Sequence, residues 1–258
     1  MTLTSDSQAA AIPSGSARSH LANSNLFLAT LPPKDHALLA SHLRQISLIC
    51  GTVLHRHGDP IEQVYFPHGG MVSIVVTMAD GAVVEAATLG RAGVVCANAA
   101  LGSRQAVGQA VVQLSGTASR IALSHFELAA QQSPAIHELA VSYNDLMLRQ
   151  VQQLVACNTL HALEQRLCRW LLQAHDCCPG NTVPITQECL SQMLGVRRTS
   201  VTFAARLLQS KHLISYYRGL VTIVDRTALE HAACECYATM REHIEQLFPG
   251  APQVEERA

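Results

Sequence analysis

"ITQECLSQMLGVRRTSVTFAARLLQSKHLISYYRGLVTIV" runs from Ile185 to Val224 and holds two helices and a hairpin. Thr186 is a favourable N-cap, and Glu188 falls in the first turn, where a carboxylate complements the helix dipole. Leu190, Met193 and Leu194 then recur at helical spacing as one buried stripe. Gly195 supplies a sharp turn, Val196 plugs the space between the helices, and a second helix begins near Arg197 or Arg198. Helix, Gly-containing turn, helix is the helix-turn-helix pattern. On the second helix, Val201, Ala204 and Leu208 share one side, while Arg198, Thr202, Arg206 and Gln209 share the other, with Thr199 beside Arg206. Ala205 and the hydroxyls keep that outer face shallow enough for close approach. "LISYY", Arg218-Gly219 and "LVTIV" follow as a two-stranded hairpin with Arg218 at its tip, which makes the motif a winged one.

Charge says what the outer face is for. The span from Cys189 to Val224 has five basic residues, Arg197, Arg198, Arg206, Lys211 and Arg218, and no Asp or Glu. From Asn181 to Arg226 the balance is 6 − 2 = +4, although the whole chain, with 18 Lys and Arg against 19 Asp and Glu, carries −1. A solvated surface intersperses both signs, whereas a patch of one sign attracts duplex DNA through counterion release.

Upstream the texture changes twice. From about Arg44 to Ile121, Gly, Pro and Asp interrupt short Val- and Ile-rich runs, and Asp80-Gly81 between "VSIVVTM" and "AVVEAATL" predicts a two-residue hairpin. This is the pattern of a small antiparallel β-barrel or roll, expected over residues 26–130. After Ser133-Pro134, the residues Ile136, Leu139, Tyr143, Leu146, Val151 and Leu154 recur at helical spacing, so a long amphipathic helix is expected over 131–157. Its stripe has two possible partners, the chain's own barrel or the same helix of a second subunit. A further helix, about Leu160 to Ala174, leads into the DNA-binding unit, placed over 158–258. At 258 residues, two domains with two modest cores are expected.

Residues 1–25 are polar and small, carry no export signal, and are expected to form a flexible tail. No apolar run approaches the roughly 20 residues that cross a bilayer, so no membrane partner and a cytoplasmic location are expected. The nine cysteines, at 50, 96, 157, 168, 177, 178, 189, 234 and 236, are then reduced. Cys177-Cys178 and Cys234-Glu235-Cys236 lack the paired C-x₂-C spacing of a zinc site, and neither a metal nor a cofactor is assigned.

The order of parts resembles the cyclic-AMP receptor protein and fumarate-nitrate reduction regulator (Crp/Fnr) superfamily of bacterial transcription factors. The likeness covers about Leu26 to Arg226 and rests on "VYFPHGGMVSIVV" and "GRAGVV" in the roll, on the long helix, and above all on the stretch quoted first. The resemblance implies an α+β chain with an N-terminal β-roll, a long dimerisation helix and a C-terminal winged helix-turn-helix. It implies a homodimer on palindromic double-stranded DNA, with RNA polymerase as a further partner. Ile136, Leu139, Tyr143, Leu146 and Leu154 are then the expected dimer seam. Arg198 falls where the family places its leading base reader, and Arg197, Ser200 and Thr186 at phosphate contacts. Thr199, Thr202 and Arg206 complete the reading face, with Lys211 and Arg218 on the backbone.

This chain also departs from the family. Thr199 and Phe203 stand where a cyclic-AMP receptor has an acidic and a second basic reader, so the operator differs. True cyclic-nucleotide binders hold the phosphate with a Gly-Glu and an Arg-Ser pair, and the matching "GVVCANAALGSRQAVGQ" has neither, with Arg104 the one nearby cation. The N-terminal cysteine cluster of iron–sulfur members is missing too, and the effector stays unassigned. A reading from another class rests on His55, His57 and Glu62, which resemble the first metal motif of cupin-type enzymes; the second segment that such enzymes need does not follow. No catalytic residues are assigned.

Overall fold

The computed structural model describes residues 25–249, so the expected tail lies outside them apart from Asn25. Two short helices, α1 (Leu26–Thr30) and α2 (Pro33–Ala40), precede a five-stranded antiparallel sheet. Its strands are β1 (Arg44–Leu48), β2 (Val53–His55), β3 (Gln63–Thr77), β4 (Val83–Leu89) and β5 (Gln109–Ala122). The order is β1-β5-β3-β4, with β2 also on β5. The two long strands, β3 and β5, bend where register slips between Pro67 and Val72. Gly70 and Gly116 permit that bend, because a Cβ on either would land on the facing backbone, and Gly70 also has φ +78°. The sheet thereby folds over itself as the expected roll. The β3–β4 turn differs in detail: Met78 N–H donates to Ala82 O at 2.8 Å, which encloses three residues, with Gly81 at φ +85°. A left-handed glycine at the third loop position gives the bulged three-residue hairpin in place of the two-residue one.

Next come α3 (Leu123–Gln132) and α4 (Pro134–Leu160), the latter capped by Ser133 Oγ, which accepts the Ile136 N–H at 3.1 Å. The long helix starts and ends three residues later than expected, because Pro134 suits the first helical position and cannot extend α3. Its expected dimer seam is overturned. Ile136, Tyr143, Leu146 and Leu154 are buried inside their own chain, and Leu139 is half-buried. Tyr143 meets Phe27 edge-on at 6.3 Å, and its hydroxyl accepts the Val94 N–H at 2.8 Å. Of the two partners left open by periodicity, Ile136, Leu139, Tyr143 and Leu146 take the roll. The outward face carries Val141, Leu148 and Val155, which are 40%, 57% and 63% exposed and spaced seven residues apart.

The C-terminal unit holds α5 (Leu163–Asp176), β6 (Thr182–Pro184), α6 (Gln187–Leu194), α7 (Arg198–Ser210), β7 (Ile214–Tyr217), β8 (Leu220–Ile223), α8 (Arg226–Ala232) and α9 (Cys236–Leu247). The wing has three strands, in the order β6-β8-β7, since Thr182–Pro184 pairs with β8.

The expectation of two separate cores fails at one place. Met71, Val75 and Leu114 of the roll share a cluster with Trp170, Leu190 and Leu194 of the C-terminal unit. Trp170, the chain's one tryptophan, is fully buried, and its Nε1–H donates to Glu85 Oε2 on β4 at 3.0 Å. Ser73 donates to the other oxygen, and burial pushes the Glu85 carboxyl above the ordinary carboxylate range. Among the described residues no helix is long and apolar enough to cross a membrane.

Candidate nucleic-acid interface

Local chemistry builds the motif as its sequence suggests. Thr186 Oγ1 caps α6 by accepting the Cys189 N–H at 3.1 Å. Gly195 ends α6 at φ +63°, and the Gly195 and Val196 N–H groups return to the Gln192 and Ser191 carbonyls at 3.2 and 3.0 Å. This left-handed closure turns the chain tightly into α7, whose N-cap is Arg197. Val201, Ala204 and Leu208 are buried beneath α7 as expected.

On its outer side Arg198, Thr199 and Arg206 are exposed together, with Arg197 at the helix start. Phe203 lies on the same face, 68% exposed. A large aromatic held in water on a helix with an ample buried stripe has no packing role, and sequence reasoning noted Phe203 only as a departure from the family.

Three side chains read as outward are engaged instead. Ala205 is buried and does not shape the outer face. Thr202 is half-buried, its one O–H shared between Gln187 Oε1 at 2.6 Å and the Arg198 carbonyl at 3.0 Å, so it fixes α7 against α6. Gln209 Oε1 accepts the Tyr216 N–H at 2.9 Å and ties α7 to the wing. Ala205 borders the buried stripe, whereas Thr202 and Gln209 fall between Arg198 and Arg206 on the helix and are covered by Gln187 of α6 and Tyr216 of the wing. Ser200 is half-buried near the start of α7.

Lys211 is exposed just beyond α7. Arg218 and Gly219 form the wing turn at φ +47° and +79°, and the Arg218 guanidinium lies 5.1 Å over the Tyr217 ring. Two successive left-handed residues are what a tight hairpin turn requires. No ion pair among the described residues involves any of the five basic side chains. Their charge faces water undiminished, which is the arrangement that phosphates neutralise.

The roll interior is of opposite character. Across the segment that would meet a cyclic phosphate, Val94, Val95, Ala97, Ala99 and Ala106 are buried. Arg104 points away, in an ion pair with Glu127 at 3.0 Å. Burial pushes the Cys96 thiol in this segment up to about 12. The cupin motif does not gather: His57 Nδ1 bonds the Val107 carbonyl at 2.7 Å, and His55 is half-buried. No close cluster of ligand atoms among the described residues contains His55, His57 or Glu62.

Residues 45–133 match the cyclic nucleotide-binding domain family, and residues 165–232 match the Crp-like helix-turn-helix domain family. No curated protein matches the chain. Among solved structures, a putative Crp/Fnr-family transcriptional regulator from Eubacterium rectale is similar at TM-score 0.62 and 18% identity, over 79% of this chain and 95% of that one. FixK2 from Bradyrhizobium japonicum is similar at TM-score 0.61 and 13% identity, over 74% and 98%. The c-di-GMP-responsive global regulator CLP of Xanthomonas campestris is similar at TM-score 0.60 and 16% identity, over 75% and 100%.

Proposed function

The chain belongs to the Crp/Fnr superfamily of transcription regulators, and from that premise we propose that it binds a two-fold symmetric duplex-DNA site as a homodimer. One observation carries the reading: the exposed, acid-free outer face of α7 lies between a capped helix start and a basic wing. α7 enters the major groove with Arg198 forked onto a guanine edge, and Phe203 supplies an apolar contact for a thymine methyl. Thr186 at the start of α6 and Arg197 and Ser200 at the start of α7 contact phosphates, Thr199 and Arg206 share the reading face with Arg198, and Lys211 and Arg218 hold the backbone farther along.

Phosphate contacts carry no sequence information, and this gives the test. Lys211→Ala and Arg218→Ala should weaken binding to all duplexes alike and lower the slope of log affinity against log salt by about 1.8 each, one phosphate contact being lost from each subunit. Anisotropy titrations across a salt series, on specific and scrambled duplexes, measure both quantities. A loss confined to one sequence, or an unchanged slope, would contradict the assignment.

The roll does not take cyclic AMP or cyclic GMP in this reading. A buried cyclic phosphate needs a guanidinium and directed N–H donors, since an unpaired buried charge is very costly. The buried segment here is apolar, and Arg104 is engaged outside it by Glu127. Calorimetry with either nucleotide at millimolar concentration should show no saturable heat. A saturable signal that disappears in Arg104→Ala would show that Arg104 turns inward to hold the phosphate.

A further inference from the structure

We propose that Cys157, His161, Cys234 and Cys236 form a structural zinc site that fastens the end of the long helix to the C-terminal segment. Cys157 lies in the last turn of α4, His161 caps the end of that helix, and Cys234 and Cys236 flank Glu235 at the start of α9. The three thiols are buried, and the four ligand atoms lie within 4.8 Å of one another. This site was hidden in the sequence because its halves are 77 residues apart and Cys234-x-Cys236 alone is a weak signal.

The spacing fits one ion. With Zn–S near 2.3 Å and Zn–N near 2.0–2.1 Å, a tetrahedron has S···S edges of about 3.8 Å and S···N edges of about 3.5 Å. Cys157 Sγ and Cys234 Sγ are 3.6 Å apart, and Cys236 Sγ and His161 Nδ1 are 3.5 Å apart. An iron–sulfur cluster distributes its thiolates over several irons and needs a wider cage. A disulfide needs sulfurs about 2.05 Å apart, and it would leave Cys236 and His161 without a role.

The surroundings also suit a metal. With Nδ1 directed at the ion, His161 Nε2–H donates to Glu235 Oε1 at 3.1 Å, the carboxylate–histidine arrangement that orients metal-bound imidazoles. Gln153 Nε2–H donates to Cys236 Sγ at 3.1 Å, a bond that favours the thiolate. Zinc with three thiolates and a neutral imidazole carries one negative charge. The guanidinium of Arg169, buried and with no hydrogen-bond partner at Nε, acts electrostatically on both Cys157 and Cys234. That same charge also acts on Glu85. Four protein ligands leave no open position, so the ion is structural rather than catalytic. The clip joins the helix that carries the outward apolar face to the unit that carries α7.

Elemental analysis of the purified full chain should find about one zinc per chain. Cys234→Ser and Cys236→Ser should lose it, while Cys50→Ser and Cys178→Ser retain it. If the site variants fail to fold, the wild-type protein still decides. Reconstituted with Co(II), it should show intense tetrahedral d–d bands with thiolate charge transfer, abolished by one equivalent of Zn(II). The proposal is overturned by octahedral Co(II), by full zinc retention in Cys234→Ser, by loss of the ion in Cys178→Ser, or by a Cys157–Cys234 disulfide in the freshly purified chain. None of these readouts depends on DNA binding.

Discussion

Leu148→Glu should yield a folded monomer that no longer holds DNA. Val141, Leu148 and Val155 repeat at the seven-residue interval of a helix-to-helix seam, and all three are exposed in the single chain. In a symmetric pair each substitution counts twice, so two carboxylates would be buried against each other across the central turn. A buried unpaired charge costs several kcal/mol, more than a seam of this length recovers. Losing the second subunit removes the second half-site contact, and linked binding sites are worth about 10²–10⁴ in affinity. Light scattering at micromolar protein, with a thermal melt as the folding control, checks the first part, and anisotropy on duplex DNA checks the second. Leu146→Glu should behave differently, because Leu146 packs with Phe27 and Tyr143 in the chain's own core, and the chain should lose stability. A folded Leu146→Glu monomer beside a dimeric Leu148→Glu would reverse the two faces.

Arg198→Ala should cost about 1–3 kcal/mol, roughly 5- to 150-fold, in each half-site and relax base choice at one position there. The side chain stands in the first turn of α7, where a helix entering the major groove brings residues closest to base edges. Its neighbours on that face, Thr199 and Phe203, replace the charged readers expected from the family. In the proposed complex Arg198 thus supplies the strongest directional contact. Arg198→Lys should recover phosphate attraction without the guanidinium fork, and so regain affinity more than specificity.

Much of the interface was legible because short-range chemistry wrote it. A Thr cap, a buried three-residue stripe, a left-handed glycine and an Arg-Gly turn each act within a few residues, and each appears where the sequence put it. The long helix was harder to read. It has apolar residues on two faces, and periodicity locates both without saying that Tyr143 reaches the Val94 amide while Leu148 faces water. The roll-to-wing core was hidden for a related reason: Trp170 and Glu85 meet only because the C-terminal unit docks on β4. Thr202 and Gln209 looked like readers until Gln187 and Tyr216 were in place to occupy them. The four-residue Cys and His cluster depends on two helix ends meeting, which local spacing does not encode.

The central claim is that α7 reads duplex sequence from a symmetric pair of chains. Selection from a random duplex pool by the wild-type protein, with Arg198→Ala in parallel, tests this most directly. The proposed dimer predicts enriched sites that are two-fold symmetric, with half-sites about 34 Å apart along the duplex, and one position per half that loses its preference in the variant. Enrichment of a single unpaired motif, or a base preference unchanged in Arg198→Ala, would contradict it.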